Sequence, residues 1–512
     1  MNKEKERINN KIKEIYNAHK SSGLYDDSFE TTLYKFLNAY DYKFLKMERV
    51  SYLKGKNHQT LSNLDMDEFK NIDKYRHALR AVIKFIYEDT TSGEFVRKIS
   101  KADIDKYDEE LSDTVKFNYI RHSIDKYNEN IYSASIDEND TLVFSNKEFK
   151  RSAVYELYSR SISDYIPNGK ITNDFVEYNE YESVFVNLVK NHPGFVSKKS
   201  YKPNDFDIQK LIKEFLIKYF FRRTNLKIAK IAVKDYTVFE YIQVYSYIAA
   251  LCMFKKAYLT SLTHETNESY ECAFMYKKEL LENEISNFFD MNIDKVNHIL
   301  KDLTYDYDFH KDRLTIYQPL FIVGEYYMSS CNLILQSYQI DKYIRLMDIK
   351  EVQTPSLTSI HRIISDDMND RMNYMVRKKY LNLLTAKNME LITNNQVKAE
   401  IDLTILDIKN NAALLLEQKA FSPVDNIEES IKVDLKINKA IKERLIKDQL
   451  VKDNFDLFIE QNIGKRDVEG YDIYSLIVTS NYAGGYKVIE NINVVDEALF
   501  YYLLSKCNGI ML

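Results

Sequence analysis

Residues 400–421 read EIDLTILDIKNNAALLLEQKAF and form the most informative segment in the C-terminal third of the chain. Two runs rich in aliphatic and β-branched residues flank the segment Lys409-Asn410-Asn411-Ala412. Consecutive asparagines can occupy the two positive-φ positions of a type I′ turn, which joins antiparallel strands. The stretch therefore predicts a β-hairpin with a two-residue loop, in which Lys409 pairs with Ala412.

The register set by this loop gathers three charged side chains on one face of the hairpin. Counted outward from the loop, Asp402 pairs with Lys419 and Thr404 pairs with Glu417. Paired residues share a face and successive residues alternate, so Asp402, Glu417 and Lys419 are predicted to project together. As a diagonal pair, Asp402 and Glu417 would have Cα atoms roughly 7–8 Å apart, which lets both reach one cation. The opposite face carries the apolar side chains Leu403, Ile405, Leu414 and Leu416.

Two acids and a lysine on one sheet face favour metal-assisted hydrolysis. Mg²⁺ prefers carboxylate oxygens, keeps several waters and accepts phosphate oxygens. Water bound to the ion is a better nucleophile, and the ion offsets the charge that grows on a phosphorane. An ammonium beside it, here Lys419, can orient the water or stabilise negative charge. The set predicts phosphodiester hydrolysis, and the lack of histidine after His361 argues against histidine-based nuclease chemistry in this third.

The hairpin resembles the core of the PD-(D/E)XK, or restriction-endonuclease-like, nucleases. In that family an acid on one strand precedes an E-x-K on the next. Asp402 matches the acid, Glu417-Gln418-Lys419 match the E-x-K, and Ile401 stands at the nominal proline. The resemblance covers residues 355–512 and implies an α/β domain of αβββαβ order with a mixed central sheet. A helix over about 361–384, with Met368 and Met372 packing into the core, is predicted to precede the hairpin.

The resemblance also implies a site, a cofactor and a substrate. Asp402, Glu417 and Lys419 would be catalytic, and Mg²⁺ would be held by Asp402, Glu417 and the backbone carbonyl of Gln418, with Mn²⁺ able to substitute. The substrate would be nucleic acid, DNA being favoured over RNA, as in restriction or anti-phage defence effectors. The alternative is a catalytically inactive scaffold that binds nucleic acid or protein. For the family's further acid on the preceding helix the candidates are Asp366, Asp367 and Asp370, none in an obvious matching frame.

The rest of the chain is predicted to be mainly α-helical, because its 512 residues include only 11 Gly and 6 Pro. A helical domain over 1–195 is a candidate sensor or partner-binding platform, or a homo-oligomer interface. The segment HPGFVSKKSYKPND, residues 192–205, marks a boundary. A second helical region, 206–352, contains a winged-helix-like segment at 282–329, with a strand pair turning at Gly324-Glu325. Helical hairpins of this kind are also common in proteins that do not bind DNA.

Charge and cysteine usage limit the partners and the compartment. The net charge of −5 gives no global attraction to nucleic acid, so contact depends on local basic groups. Lys432, Lys436 and Lys439 have helical spacing and are candidates for phosphate contact, although interleaved acids make a solvated face an equal alternative. Four scattered cysteines and no apolar run longer than about Val244–Phe254 predict a cytoplasmic protein without a membrane span.

Overall fold

Scarcity of glycine and proline leaves the N-terminal two-thirds free to form long helices, and the structure contains them. The structure is a computed structural model. The residues that it describes are 3–20, 27–53, 66–128, 132–145, 209, 212–213, 226–261, 270–310, 318–335, 343–344, 346–347, 355–380, 383–420, 427–464, 466–480, 487–489 and 492–506. They form two compact units, the first holding the described residues up to Met347 and the second those from Pro355 onward.

The first unit combines helices with two small antiparallel sheets. Its described helices are α1 (Lys3–Lys20), α2 (Phe29–Leu53), α3 (Met66–Asp89), α4 (Lys101–Asn128), α5 (Leu226–Ala229), α6 (Val238–Ser261), α7 (Lys278–Phe289), α8 (Ile293–Leu303), α9 (Tyr307–His310) and α10 (Cys331–Leu335). Its described strands are β1 (Ser133–Ile136), β2 (Leu142–Ser145), β3 (Phe274–Lys277), β4 (Phe321–Val323) and β5 (Tyr326–Ser329). None of the helices described here or in the second unit is long and apolar enough to cross a membrane.

One hydrophobic cluster in the first unit joins distant parts of the sequence. Phe36 of α2 and Ile83 of α3 belong to the same buried cluster as Phe321 of β4 and Met328 of β5. The boundary predicted at 192–205 lies outside the described residues. The described residues before 192 and those after 205 therefore share one hydrophobic core.

The segment from β3 to β5 has the strand order of a winged helix-turn-helix. The sheet order is β3-β5-β4, with α7 and α8 inserted between β3 and β4. Asp290, at φ 51°, ends α7, and the Oδ1 of Asn292 accepts the Asp294 N–H at 2.7 Å to begin α8. Gly324, at φ 58°, turns β4 into β5. This arrangement extends the segment expected at 282–329 by one strand towards the N-terminus.

A buried carboxylate ties α2 to the start of α10. Asp41 accepts hydrogen bonds from the Ser330 hydroxyl at 2.6 Å, the Cys331 N–H at 2.7 Å, and the backbone and side-chain amides of Asn332 at 3.2 and 2.9 Å. Burial raises the pKa of Asp41 to about 6, although these donors act in the opposite direction. Asp41 therefore caps the otherwise unsatisfied N–H groups at a helix start.

The second unit is an α/β domain, as predicted in outline. Its described helices are α11 (Pro355–Lys379), α12 (Ile427–Asp453), α13 (Phe455–Ile463) and α14 (Glu497–Lys506). Its described strands are β6 (Leu383–Thr393), β7 (Gln396–Asp407), β8 (Ala412–Lys419), β9 (Asp472–Thr479), β10 (Lys487–Ile489) and β11 (Ile492–Asp496). Helix α11 ends before the predicted Leu384, because β6 has already begun there.

These strands form one mixed sheet covered by helices on both faces. The order is β10-β11-β9-β8-β7-β6, in which β9 runs parallel to both β8 and β11 and the other neighbours are antiparallel. Met368 and Met372 of α11 pack with Phe500 of α14 on one face, called here the α11 face. Phe458 of α13 and Ile441 of α12 pack on the other, called the α12 face.

The loop of the β7–β8 hairpin differs from the prediction. Asp407, not Lys409, lies opposite Ala412, so the loop has four residues and the type I′ turn is wrong. Asn411 has φ 47°, whereas Asn410 donates through its side-chain amide to the Asp407 carboxylate at 2.7 Å. This side-chain contact stabilises the longer loop. The register moves by two residues, which leaves the side chains of residues 402–407 and 412–419 on their predicted faces.

Candidate active site

The predicted charged residues come together at the end of the β7–β8 hairpin. Pairing is observed up to Leu403 and Leu416, and one further step sets Asp402 beside Glu417. One carboxylate oxygen of Asp402, Oδ2, accepts the Gln418 N–H at 2.6 Å. The Lys419 ammonium donates to Glu417 Oε1 at 2.8 Å. Continued by that step, the register sets the acids opposite each other, whereas the sequence predicted a diagonal pair with Cα atoms roughly 7–8 Å apart.

The two carboxylates differ in their electrostatic surroundings. Burial, and after it the negative charge of Glu417, raises the pKa of Asp402 to about 6. Burial also disfavours ionisation of Glu417, but Lys419, Lys447 and Arg444 outweigh it and hold the pKa of Glu417 below its ordinary value. Burial lowers the pKa of Lys419, and Glu417 more than compensates, so the pKa of this ammonium is raised. The site is thus an ionised glutamate among cations beside an aspartate that resists ionisation.

Two cations from α12 complete the surroundings of Glu417. Arg444 is fully buried, with its Nη1 3.6 Å from Glu417 Oε2 and its Nε 2.6 Å from Asp448 Oδ1. Lys447 places its Nζ 3.4 Å from Glu417 Oε2, while 30% of its side chain stays exposed. Arg444 contacts the glutamate and an acid one turn along its own helix, whereas Lys447 faces both the glutamate and solvent.

Arg444 could have been recognised in the sequence by its position on the helix. Ile437, Ile441 and Val451 lie on the buried side of α12, and Arg444 and Asp448 have the same helical spacing. Charged residues within an apolar stripe are almost never fully buried unless they are paired. The stripe therefore indicated that a charged partner faces α12 from the sheet.

The lysines predicted to contact phosphates lie elsewhere on α12. Lys436 and Lys439 are exposed, and Lys439 lies 3.7 Å from Glu443 in a solvent-facing ion pair. The side chain of Lys432 is outside the described residues. Lys436 precedes Lys447 by about three helical turns, so both lie along the same side of the helix.

The predicted helix before the hairpin presents an amide to Asp402. Asp366 is exposed, Asp367 is half-buried, and Asp370 forms an ion pair with Lys387 of β6. Asn369 is buried and donates to the backbone carbonyl of Asp402 at 2.8 Å. The residue of α11 bonded to Asp402 is therefore an amide, a residue type that a search for carboxylates passes over.

Asp402 and Glu417 carry the carboxylate oxygens that a hard divalent cation prefers. Asp402 and Glu417 supply adjacent carboxylates, and the mutual repulsion that raises the pKa of Asp402 is of the kind that a cation relieves. Gln418 uses its N–H toward Asp402, whereas the resemblance assigns its carbonyl to the metal. Among the described residues, no group of three or more acidic, histidine or cysteine side chains is gathered to hold a metal. Waters or substrate oxygens would therefore fill most of the coordination shell, as is usual for Mg²⁺.

Comparison with protein-family models, with curated proteins and with solved structures gives no match for this chain. The resemblance to PD-(D/E)XK nucleases therefore stays a prediction, based on the residues of the hairpin and the order of the surrounding elements.

Proposed function

We propose that the second unit is a metal-dependent nuclease that hydrolyses phosphodiester bonds in nucleic acid. The observation that carries this proposal is the placement of Asp402, Glu417 and Lys419 at one end of the β7–β8 hairpin. Two neighbouring carboxylates, largely withdrawn from water, are costly for folding, and such arrangements are concentrated at functional sites. An ammonium in contact with the second carboxylate adds the positive charge that phosphoryl chemistry needs.

Each residue has a distinct part in the proposed reaction. Asp402 and Glu417 would hold Mg²⁺, or Mn²⁺ in its place, and the bound ion would supply an activated water and offset charge on the phosphate. Lys419 would stabilise negative charge near the attacking water. Lys447, partly exposed to solvent beside Glu417, would contact a phosphate oxygen of the incoming strand.

The substrate and the cellular setting are inferred from the resemblance to the nuclease family. Following the resemblance, DNA is the preferred proposed substrate and RNA the second. Lys436 and Lys439, with Lys432, would supply weaker contacts to the strand from the exposed side of α12. We place the protein in the cytoplasm as a restriction or anti-phage defence effector. The first unit would then sense a signal or bind a protein partner, including a second copy of the chain.

The winged-helix-like segment is not assigned a DNA-binding role here. Its second helix carries Lys295, which bonds to Glu240 at 2.7 Å, and His298, which contacts the Asp235 carboxylate, while Lys301 is exposed. Acidic Asp294 is exposed at the start of that helix. These pairings lower the electrostatic attraction for phosphate, on which most DNA affinity depends.

The proposal is tested by cleavage of plasmid DNA and of a structured RNA in parallel, with Mg²⁺ and with Mn²⁺. Wild-type chain should cut at least one substrate, and Lys419→Ala should cut it far more slowly. Chelation by EDTA should stop the reaction, and fresh metal should restore it. No cleavage of either substrate with either metal would contradict the proposal.

A non-catalytic scaffold is the second candidate, favoured by the three cations that already surround Glu417. Such a protein would bind nucleic acid or protein without cutting. It would retain nucleic-acid binding in EDTA, whereas binding by the proposed nuclease should strengthen when metal is added. The two candidates therefore differ in a binding measurement as well as in cleavage.

A further inference from the structure

The ladder between β6 and β7 is interrupted at Asp402. Pairs run from Leu383–Asp407 to Lys387–Leu403 and resume at Met389–Ile401, which omits the step between Asn388 and Asp402. Asn388 has φ 49°, a left-handed conformation that asparagine tolerates better than most residues. Both strands therefore depart from regular geometry at the step that carries a candidate metal ligand.

The interruption changes which way the side chains of β7 point. Ala399 and Ile401 pack on the α12 face, whereas Leu403 and Ile405 pack on the α11 face. In an uninterrupted strand all four would share one face, because side chains alternate with a period of two. If the alternation from Ile401 continued, Asp402 would point to the α11 face, away from Glu417. The break lets Ile401 and Asp402 lie consecutively on the α12 face.

A single amide from α11 bonds to both strands at the break. Asn369 is 6% exposed, and its Nδ2 donates to the Asp402 carbonyl at 2.8 Å and to the Asn388 Oδ1 at 2.8 Å. The two donated protons satisfy a backbone acceptor that the interrupted ladder no longer serves and fix the side chain of the left-handed residue. A buried carbonyl without a partner costs roughly 1–3 kcal/mol, so this contact stabilises the irregular backbone against the regular alternative.

We infer that Asn369 and Asn388 are positioning residues that hold the Asp402 carboxylate on the face of Glu417. The peptide after Asp402 is fixed through its carbonyl, which fixes the direction of the side chain on the same residue. The outcome is visible at the carboxylate, where Oδ2 meets the Gln418 N–H at 2.6 Å. The consequence for metal binding rests on the proposed function. The direction of the Asp402 side chain does not depend on that function.

The test uses Asn369→Ala in the full chain, with Asn373→Ala as a matched control. Asn373 lies one turn further along α11, and its Oδ1 accepts from the Thr385 hydroxyl of β6 at 2.6 Å. Both substitutions remove a polar contact between α11 and β6, so a general loss of packing should affect them alike. Only Asn369→Ala should disturb Asp402. If it fails to fold, Asn388→Gly removes the second partner and keeps a residue that accepts positive φ.

Two measurements separate the inference from the proposed function. The first is hydrogen exchange of the Gln418 amide, which needs neither metal nor substrate. Asn369→Ala should speed this exchange roughly tenfold or more, because the Asp402 acceptor is no longer held in place. Asn373→Ala should leave it unchanged. Equal exchange in wild type and Asn369→Ala, or equal acceleration in both variants, would overturn the inference.

The second measurement is Mn²⁺ affinity by calorimetry. Loss of a residue that orients a ligand typically weakens metal binding by about 10–100-fold, and this is expected for Asn369→Ala but not Asn373→Ala. If wild type binds no Mn²⁺ while the exchange difference is present, the proposed function fails and the positioning role stands. If wild type binds Mn²⁺ and Asn369→Ala binds it equally well, the positioning role is wrong and the nuclease proposal is unaffected.

Discussion

Asp41 in the first unit is buried and Asp402 in the second is half-buried, and burial raises the pKa of both to about 6, yet their surroundings differ. Asp41 accepts hydrogen bonds from three successive residues at the start of a short helix. Asp402 accepts one backbone N–H and has a second carboxylate, Glu417, as a neighbour. A raised pKa therefore does not distinguish a structural acid from a candidate catalytic acid. The identity of the neighbours does, because donors satisfy Asp41 whereas Glu417 repels Asp402.

The largest expected effect is the loss of metal binding and cleavage when an acid of the candidate site, but not Asp41, is replaced. Asp402→Ala or Glu417→Ala should remove Mg²⁺ and Mn²⁺ binding and reduce cleavage by more than the roughly 10²–10³-fold that loss of one stabilising group costs. Asp41→Ala is the matched control and should keep metal affinity in the chain that remains folded. Calorimetry with Mn²⁺ and a plasmid cleavage assay check both statements. Unchanged metal affinity in Asp402→Ala and Glu417→Ala would remove the assigned site.

The next effect concerns the cation of the site rather than its acids. Lys419→Ala should keep the metal and bind nucleic acid, yet lower kcat by about 10²–10³-fold, because its charge acts mainly in the transition state. Lys419→Arg should restore little, since a planar guanidinium does not reproduce the position of an ammonium. Single-turnover cleavage and a separate binding titration divide kcat from affinity. Cleavage at the wild-type rate by Lys419→Ala would make Lys419 a surface residue of the strand.

A smaller effect is expected from Asp41, and it concerns stability and its pH dependence. The folded-state pKa is raised from 3.8 to about 6, so the folded chain keeps a proton that the unfolded chain releases. The contribution is fully present below pH about 4 and is lost as pH rises through about 6, by roughly 2–3 kcal/mol in free energy of unfolding. Asp41→Asn should remove this slope. Urea-dependent hydrogen exchange of peptides covering Tyr326–Leu335, corrected for intrinsic rates, measures the free energy of unfolding at each pH. Parallel pH curves for wild type and Asp41→Asn would contradict the prediction.

The features that the sequence predicted correctly are those that depend on local interactions. The faces of β8, and of β7 from Asp402 onward, were predicted correctly, because a change of two residues in register preserves the alternation of Leu403 with Asp402. The loop was wrong because Asn410 bonds to Asp407, a contact that competes with a tight turn. No residue range was predicted for strand β6, because its alternation breaks at Asn388. The hydrogen-bond partner of Asn388, Asn369, comes from another element. Non-local partners of this kind leave no periodic signal.

The smallest expected effect concerns access, the last difference between the two aspartates. Asp41 is enclosed by the first unit, whereas the Asp402–Glu417 pair adjoins Lys447, whose side chain is 30% exposed. A lysine that contacts a carboxylate and is also exposed to solvent can form a second ion pair with a phosphate of a bound strand. Lys447→Ala should therefore weaken nucleic-acid binding by about tenfold, or about 1.4 kcal/mol, and lower its dependence on salt by about one phosphate contact. Lys439→Ala is the comparison from the same helix, because Lys439 faces Glu443 in solvent and the loss of its weaker contact should reduce affinity much less than Lys447→Ala does. Binding titrations at several salt concentrations, made with Ca²⁺ to limit cleavage, compare the two variants. Equal losses in both would mean that α12 acts only as a diffuse basic surface, and no loss in either would place the strand away from α12.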